Sequence, residues 1–213
     1  MKSNLSKPVF IMFVGQPGSG KSYLSRHLSK KLDVIHLDNT QIRNELFSKP
    51  TYSREEEGVV KHIMLMMAEK FMAYGLSVIY DGNAATKVER RTLRDFARKN
   101  KGTPLLIWQQ VDDQTCAHRA TSKPKNNDYE PITKELYQKL ARLVETPRNE
   151  DYVVVSGKHT HAAQVRSVLR HLHEKQLLEN PKLAASLPNP GLVNLVAQQS
   201  GRVDLARRNI SVK

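Results

Sequence analysis

The chain carries, from residue 15 to residue 22, the sequence Gly15-Gln16-Pro17-Gly18-Ser19-Gly20-Lys21-Ser22. This stretch fits the pattern G-x-x-x-x-G-K-[ST], in which the glycines let backbone N–H groups converge on phosphate oxygens. The lysine of such a loop reaches the β- and γ-phosphates of a nucleotide, and the hydroxyl that follows it binds Mg²⁺. The stretch therefore predicts a site for ATP and Mg²⁺, with Ser22 as the metal ligand.

The residues on either side of this loop have the patterns of a strand and a helix. Val9 to Val14 is an apolar run rich in β-branched and aromatic residues, which is typical of a strand buried on both faces of a parallel sheet. After the loop, Leu24, Leu28 and Leu32 recur at the spacing of one helical face. This context favours a phosphate-binding loop over a chance glycine turn with a surface lysine.

Strand and helix patterns alternate along the rest of the chain. They predict strands over residues 34–37, 77–80, 104–111 and 152–155, and helices over 55–74, 87–99, 113–121 and 162–178 with another beginning near 133. In the helix over 55–74, the predicted inward face carries Val59, Ile63, Met66, Met67 and Phe71. Because such alternation implies βαβ crossovers, we predict a three-layer α/β/α sandwich with a five-stranded parallel sheet.

The composition is that of a globular domain with an excess of basic residues. Lysine and arginine number 34 against 21 aspartate and glutamate, for a formal charge of +13, which favours polyanionic partners. The single cysteine, Cys116, excludes an intramolecular disulfide and is expected to be a small buried hydrophobe. Since no apolar run approaches the roughly 18 residues of a membrane span, we expect a cytoplasmic protein.

A change of composition near residue 179 divides the chain. Residues 180–190 contain three prolines, and a small apolar segment with a basic end follows them. We therefore expect one domain over residues 1–178 and a basic C-terminal extension over residues 179–213.

The second predicted strand ends in the sequence Leu37-Asp38-Asn39-Thr40-Gln41-Ile42-Arg43. Together with the glycine loop, it resembles small P-loop kinases of the nucleoside monophosphate kinase type, particularly polynucleotide 5′-hydroxyl kinases, zeta toxins and adenylylsulfate kinases. The resemblance covers about residues 8–174 and implies transfer of the γ-phosphoryl group of ATP to an acceptor hydroxyl. It places Asp38 and Arg43 at the acceptor, although the position three before the arginine, usually acidic in the family, is Thr40.

The third predicted strand is followed by Asp81-Gly82-Asn83, which is similar to a strand-end element of the same family. Asp81 could position or deprotonate the acceptor, or join the water shell of Mg²⁺, and Asn83 is a further candidate substrate contact. The residues leave open whether Asp38 or Asp81 is the base. The structural alternatives are a strand-end cap for Asp38, a solvated helix arginine for Arg43 and a plain turn at Asp81.

Residues 119–131 resemble the lid of these kinases. Arg119 and Lys123 occupy the places of lid cations, so the resemblance implies that Arg119 closes over the transferring phosphoryl group as a catalytic residue. Residues 156–160 are similar to the family's loop against the adenine.

The predicted helix that begins at residue 87 has a basic face. That face carries Lys87, Arg91, Arg94 and Arg98, and Val88, Leu93 and Phe96 lie opposite. It could follow a nucleic-acid backbone through residues 87–101, although charged faces are more often solvated surface. We expect a 5′-hydroxyl nucleic acid end as the acceptor; the alternatives are a nucleoside or other small hydroxylated metabolite, and an ATP-binding regulatory module with little turnover. The oligomeric state stays open.

Overall fold

The structure is a computed structural model that describes residues 2–122 and 131–179. In this part of the chain, five strands form one sheet in the order β2-β3-β1-β4-β5. The strands are β1 (Val9–Val14), β2 (Ile35–Asp38), β3 (Val78–Asp81), β4 (Thr103–Gln110) and β5 (Val153–Ser156). Every pairing between them is parallel, which confirms the predicted five-stranded parallel sheet.

Helices cover both faces of the sheet. They are α1 (Lys21–Ser29), α2 (Asn39–Leu46), α3 (Arg54–Ala73), α4 (Lys87–Lys99), α5 (Asp113–Thr121), α6 (Lys134–Arg142) and α7 (His161–Glu174). Residues of α1 and α7 share a buried cluster with one face, and residues of α3 and α4 share a second cluster with the other. The predicted three-layer sandwich is confirmed.

The central strand β1 shows why its sequence is apolar throughout. Val9, Ile11 and Phe13 belong to the cluster with α1 and α7, whereas the alternating residues Phe10, Met12 and Val14 belong to the cluster with α3 and α4. All of them are buried because both faces of the strand are covered. The glycine loop therefore leaves the sheet at the middle of its carboxyl edge, where ligands bind in open α/β sheets.

The predicted inward face of α3 was only partly right: Met67 and Phe71 are half-buried against the core cluster, but two other residues of that face are exposed. Val59 and Met66 are 47% and 48% exposed. The residues that are buried along α3 are Val60, Met64, Ala68 and Met72. Neighbouring apolar residues, such as Val59 with Val60, allow two apolar faces at helical spacing, and packing of the helix on β2 and β3 selects one of them.

Two predicted regions lie outside the described residues. These are most of the lid, residues 123–130, which includes Lys123, and the C-terminal extension from residue 180. Within the described ranges, no helix has both the length and the apolar content that a membrane span requires.

Candidate active site

The loop between β1 and α1 lies so close to its neighbours that two of its positions have no room for a side chain. A Cβ atom on Gly15 would lie 2.6 Å from the carbonyl oxygen of Gln109 in β4. On Gly18, whose φ is +78°, it would lie 2.3 Å from the carbonyl oxygen of Cys116 in α5. Glycine at both positions therefore packs the loop between the sheet and the helix that leads into the predicted lid. Cys116 is buried, as predicted.

Lys21, the first residue of α1, turns back into the loop. Its Nζ donates to the carbonyl oxygens of Gly15 at 2.8 Å and Gln16 at 2.9 Å. Burial lowers the pKa of Lys21 to about 8, although the nearby Asp81 carboxylate opposes this shift. The ammonium group thus lies where it would meet the oxygens of a phosphate bound to the loop.

Asp81, at the end of β3, accepts hydrogen bonds from both serines of the first turns of α1. Ser22 Oγ donates to its Oδ1 at 3.1 Å, and Ser25 Oγ donates to its Oδ2 at 2.6 Å. The Nε2 atom of His36, in β2, lies 3.4 Å from the same Oδ2. The carboxylate is therefore beside the predicted metal ligand Ser22, within reach of the water shell of an ion held there.

Asp38, at the end of β2, is the register neighbour of Asp81. Its Oδ1 accepts the backbone N–H groups of Thr40 at 2.9 Å and Gln41 at 3.2 Å, so that it caps α2. Its Oδ2 is not used by this cap and lies 3.9 Å from Nε of Arg26 in α1. The strand-end cap considered for Asp38 is present, and one carboxylate oxygen is left for another partner.

The carboxyl edge of β2 and β3 has a donor set that fits a divalent cation. His36, Asp38 and Asp81 each offer a ligand atom within 4.8 Å of the others, and the hydroxyl of Ser22 adjoins them. Hydroxyl and carboxylate oxygens are the ligands that Mg²⁺ prefers. The oxygen-rich side of this edge therefore suits Mg²⁺ bound together with a nucleotide.

Arg43 lies in α2 and points into the protein. Its guanidinium donates to Glu56 at 3.1 Å and to Glu57, and its side chain is 2% exposed. The ring of Tyr52 lies 4.9 Å from its Cζ. The solvated arginine considered from the sequence is wrong, and an acceptor contact by Arg43 stays a prediction that requires it to release these carboxylates.

Asn83 is exposed, and the buried Ala84 and half-buried Ala85 that follow it are held from α4. Asn83 Oδ1 accepts the N–H of Ala85 at 3.3 Å. Arg90 donates to the carbonyl oxygen of Ala85 at 2.6 Å, which fixes the turn behind Asp81. A substrate contact by Asn83 stays a prediction.

The basic face of α4 differs from its predicted form. Arg90 is 0% exposed, and Arg94, predicted on the solvated face, pairs with Glu150 and has a side chain 14% exposed. Val88, predicted on the inward face, is 74% exposed. The inward side of α4 thus buries arginine instead of valine, because Glu150 supplies the countercharge.

A cleft of about 640 Å³ follows the glycine loop. At one end it is lined by Arg26 and Thr40, near Asp38, and at the other by Arg119, Gly157 and His159. Arg119 lies in the last turn of α5 and is exposed. The structure therefore brings Arg119, a predicted lid cation, and the predicted adenine loop to the same cleft as Lys21 and Ser22.

Sequence analysis gave no role to Ser25, His36 or Arg26 and did not predict α2. The sequence did contain a spacing that indicates two of these residues, Ser25 and His36. Ser25 follows Ser22 by three residues, one turn of α1, and His36 precedes Asp38 by two residues, on the same face of β2. Only the packing of α1 on β2 and β3 shows that they meet at Asp81.

Comparison with known proteins gives consistent results. A family profile described as AAA domain matches residues 10–147. An adenylyl-sulfate kinase of Shewanella halifaxensis is 22% identical over 192 residues, which cover 85% of this chain and 89% of that protein. The crystal structure of a gluconokinase from Sinorhizobium meliloti 1021 superposes with a TM-score of 0.59 and 18% identity, over 79% of this chain and 94% of that one. A putative kinase from Chloroflexus aurantiacus superposes with a TM-score of 0.61 and 20% identity, over 79% and 97%.

Proposed function

From the premise that this chain belongs to the AAA domain family and is a small P-loop kinase, an ATP-dependent phosphotransferase that uses Mg²⁺, we propose that its acceptor is a hydroxyl of a small anionic metabolite. One observation carries the proposal. The neighbouring carboxylates of Asp38 and Asp81 have different partners, and on this ground we propose Asp38 for the acceptor and Asp81 for the metal ion.

The nucleotide side is formed by the glycine loop and the start of α1. We place the β- and γ-phosphates against the backbone N–H groups of residues 15–20 and the ammonium group of Lys21. Ser22 would hold Mg²⁺, with Asp81 beside it, and the bound ion supplies positive charge to the oxygens around the transferring phosphoryl group. Arg119 would add a second positive charge from the lid side of the cleft.

The acceptor side is formed by Asp38, Arg26 and Thr40. The Oδ2 atom of Asp38 would orient the acceptor hydroxyl and take its proton as the new P–O bond forms and the bond between the γ-phosphorus and the bridging oxygen breaks, with ADP as the leaving group. Arg26, with its Nε 3.9 Å from that oxygen and its side chain 44% exposed, would bind a negative charge on the acceptor. Thr40 lines the cleft at this end, so the departure from the family's acidic residue leaves the acceptor side less negative.

The comparisons and the ion pairs on α4 support a small acceptor over a nucleic-acid polymer. The relative named above is an adenylyl-sulfate kinase and one of the two structural neighbours is a gluconokinase, and both names describe small anionic acceptors. On α4, Arg90 and Arg94 pair with Glu150, and Arg98 pairs with Asp95. These ion pairs reduce the positive charge that this face offers to a nucleic-acid backbone.

A 5′-hydroxyl nucleic acid end is the second candidate, because the formal charge of +13 favours polyanions. The extension that we propose beyond residue 178 contains further basic residues, which also favour a polyanionic acceptor. The two candidates predict different responses to salt, since each phosphate contact of a polyanion contributes to the slope of log affinity against log salt.

The acceptor is tested by incubating the full chain with Mg²⁺, γ-labelled ATP and a panel of hydroxyl-bearing carboxylates, sulfated or phosphorylated nucleosides, neutral sugars and 5′-hydroxyl oligonucleotides. Label in a small anion supports the proposal, and label in an oligonucleotide alone overturns it in favour of the second candidate. Free phosphate alone would indicate an ATP-binding module with little transfer.

The assignment of Asp38 is tested with Asp38→Asn, which should lower kcat for the labelled acceptor by roughly 10²- to 10⁴-fold, as expected for a general base. The matched control is Asp33→Asn, an exposed aspartate that precedes β2. Arg26→Gln should raise KM for anionic acceptors and leave neutral ones unaffected. If Asp38→Asn retains the kcat of the unmodified protein, Asp38 is not the acceptor's base.

A further inference from the structure

The carboxylate of Asp81 is held from two different elements, and its two oxygens have different partners. Oδ1 accepts from Ser22, whereas Oδ2 has Ser25 at 2.6 Å and His36 at 3.4 Å. The side chain of Asp81 is 6% exposed and that of His36 is 17% exposed, so little water reaches this group. Loss of a donor here would leave a buried carboxylate oxygen incompletely hydrogen-bonded, which is costly.

The direction of these hydrogen bonds depends on which acceptor receives the hydroxyl proton of Ser25. Ser25 Oγ lies 2.6 Å from Asp81 Oδ2, 2.9 Å from the carbonyl oxygen of Ser22 and 3.1 Å from His36 Nε2. A serine hydroxyl has one proton, and the charged acceptor at the shortest distance takes it. Ser25 Oγ then accepts from His36, which requires a proton on Nε2. The hydrogen bonds thus run from His36 to Ser25 to Asp81.

We propose that Ser25 and His36 are positioning residues that keep the Asp81 carboxylate turned toward Ser22, in the orientation that assists binding of Mg²⁺ together with the nucleotide. The proposal rests on the place of Mg²⁺ given above and is independent of the acceptor.

The position of Lys21 shows what this arrangement prevents. Asp81 is close enough to Lys21 for their charges to interact. A carboxylate released from Ser25 and His36 would be free to turn toward that ammonium and compete with the phosphates for it. Held by α1 and β2, the carboxylate instead has Oδ1 on the hydroxyl that binds the ion. β2 is itself fixed on β3, with His36 opposite Ile79 in the register.

The test measures how strongly Mg²⁺ increases the affinity for a non-hydrolysable ATP analogue, from calorimetric titrations with Mg²⁺ and with EDTA. His36→Leu and Ser25→Ala should each reduce the Mg²⁺-dependent increase by roughly 10- to 100-fold, the usual cost of losing an outer hydrogen-bond partner of a metal site. Affinity in EDTA should fall less than affinity with Mg²⁺, because only the competition of the released carboxylate for Lys21 acts there. His36→Gln, whose amide keeps an N–H donor, should restore most of the increase. His62→Leu, an exposed histidine of α3, is the matched control.

Three results would overturn the proposal. The first is a Mg²⁺-dependent increase in both His36→Leu and Ser25→Ala equal to that of the unmodified protein. The second is an equal loss in His36→Gln and His36→Leu, because the donor would then be irrelevant. The third is a magnetic coupling between Mn²⁺ substituted for Mg²⁺ and an imidazole nitrogen, because His36 would then be a ligand.

Asp81→Asn separates this proposal from the metal assignment on which it rests. If Asp81→Asn keeps the Mg²⁺-dependent increase, the assigned place of Mg²⁺ is wrong, and the positioning role fails with it. If Asp81→Asn loses the increase while His36→Leu and Ser25→Ala keep it, only the positioning role is wrong. Thermal unfolding of each variant shows that the folded protein was titrated.

Discussion

Lys21 and Arg90 are both cations at the carboxyl edge of the sheet, Lys21 half-buried and Arg90 buried, but they have different partners. Lys21 is held by the carbonyl oxygens of Gly15 and Gln16. Arg90 donates to carbonyl oxygens as well, but its Nη2 also pairs with Glu150 Oε1 at 2.8 Å. Removal of the cation from a buried ion pair leaves an uncompensated carboxylate and destabilises the fold, whereas a cation held by neutral dipoles remains available to an anionic ligand.

The pKa values of Lys21 and of Glu150, the partner of Arg90, reflect this difference. Burial acts to raise the pKa of Glu150, but the hydrogen bonds from Arg90 and Arg94 outweigh it and leave the pKa below its ordinary value. Burial lowers the pKa of Lys21 to about 8, and the Asp81 carboxylate only partly opposes it. Glu150 therefore keeps its negative charge, whereas Lys21 loses its proton at mildly alkaline pH.

The largest expected effect on stability is that of Arg90→Met. It leaves Glu150 buried with Arg94 as its remaining named partner, so we expect a loss of about 3–5 kcal/mol in the free energy of unfolding, measured in urea. Arg91→Met, on the same helix but with a side chain 85% exposed, is the matched control. A loss below about 1 kcal/mol in Arg90→Met would contradict a structural role for this ion pair.

Lys21→Ala should have the opposite effects: a large loss of phosphoryl transfer and no loss of stability. We expect phosphoryl transfer to fall by roughly 10²- to 10³-fold or more, because a charge aimed at the transferring group is removed. The free energy of unfolding should be equal or higher, since the desolvation cost of a buried ammonium is removed with it. Lys31→Ala, an exposed lysine after α1, is the control. Unchanged transfer in Lys21→Ala would reject the assignment of the glycine loop.

The sequence predicted those parts of the fold that depend on local pattern. The bounds of β1 and α4 agree with their predicted ranges, and Thr133 caps α6 as expected. The short helix α2 was missed because its residues have only Ile42 and Leu46 as apolar positions, and its start depends on the side chain of Asp38. The inward face of α3 was partly misassigned because neighbouring apolar residues fit two faces.

The candidate site was predictable only where it is contiguous. The glycine loop is one stretch of chain, so its pattern identifies it. Arg43 and Arg90 look like surface arginines in sequence, and their carboxylate partners lie 13 and 60 residues away. The contacts among Ser25, His36 and Asp81 likewise join three separate elements. Such pairs are determined by tertiary packing, which no local spacing reveals.

A smaller effect should follow from titration of Lys21. Because its pKa in the nucleotide-free protein is about 8, it is charged below that pH and neutral above it. Bound phosphates favour the charged form, so affinity for the nucleotide should fall by up to about tenfold per pH unit above pH 8. Calorimetry near pH 8.5 in buffers of different ionisation enthalpy should also show proton uptake on binding. Constant affinity and no uptake would contradict this.

The smallest expected effect is that of Arg98→Ala, about two turns along α4 from Arg90. Arg98 Nη1 lies 3.3 Å from Asp95 Oδ1, and the two side chains are 62% and 61% exposed. An exposed pair contributes between about 0 and 1 kcal/mol, so stability should hardly change. The same variant also tests the nucleic-acid candidate. If the face of α4 contacts phosphates, Arg98→Ala should reduce the salt slope of oligonucleotide binding by about 1. If it is solvated surface, the slope and the free energy of unfolding should both match the unmodified protein.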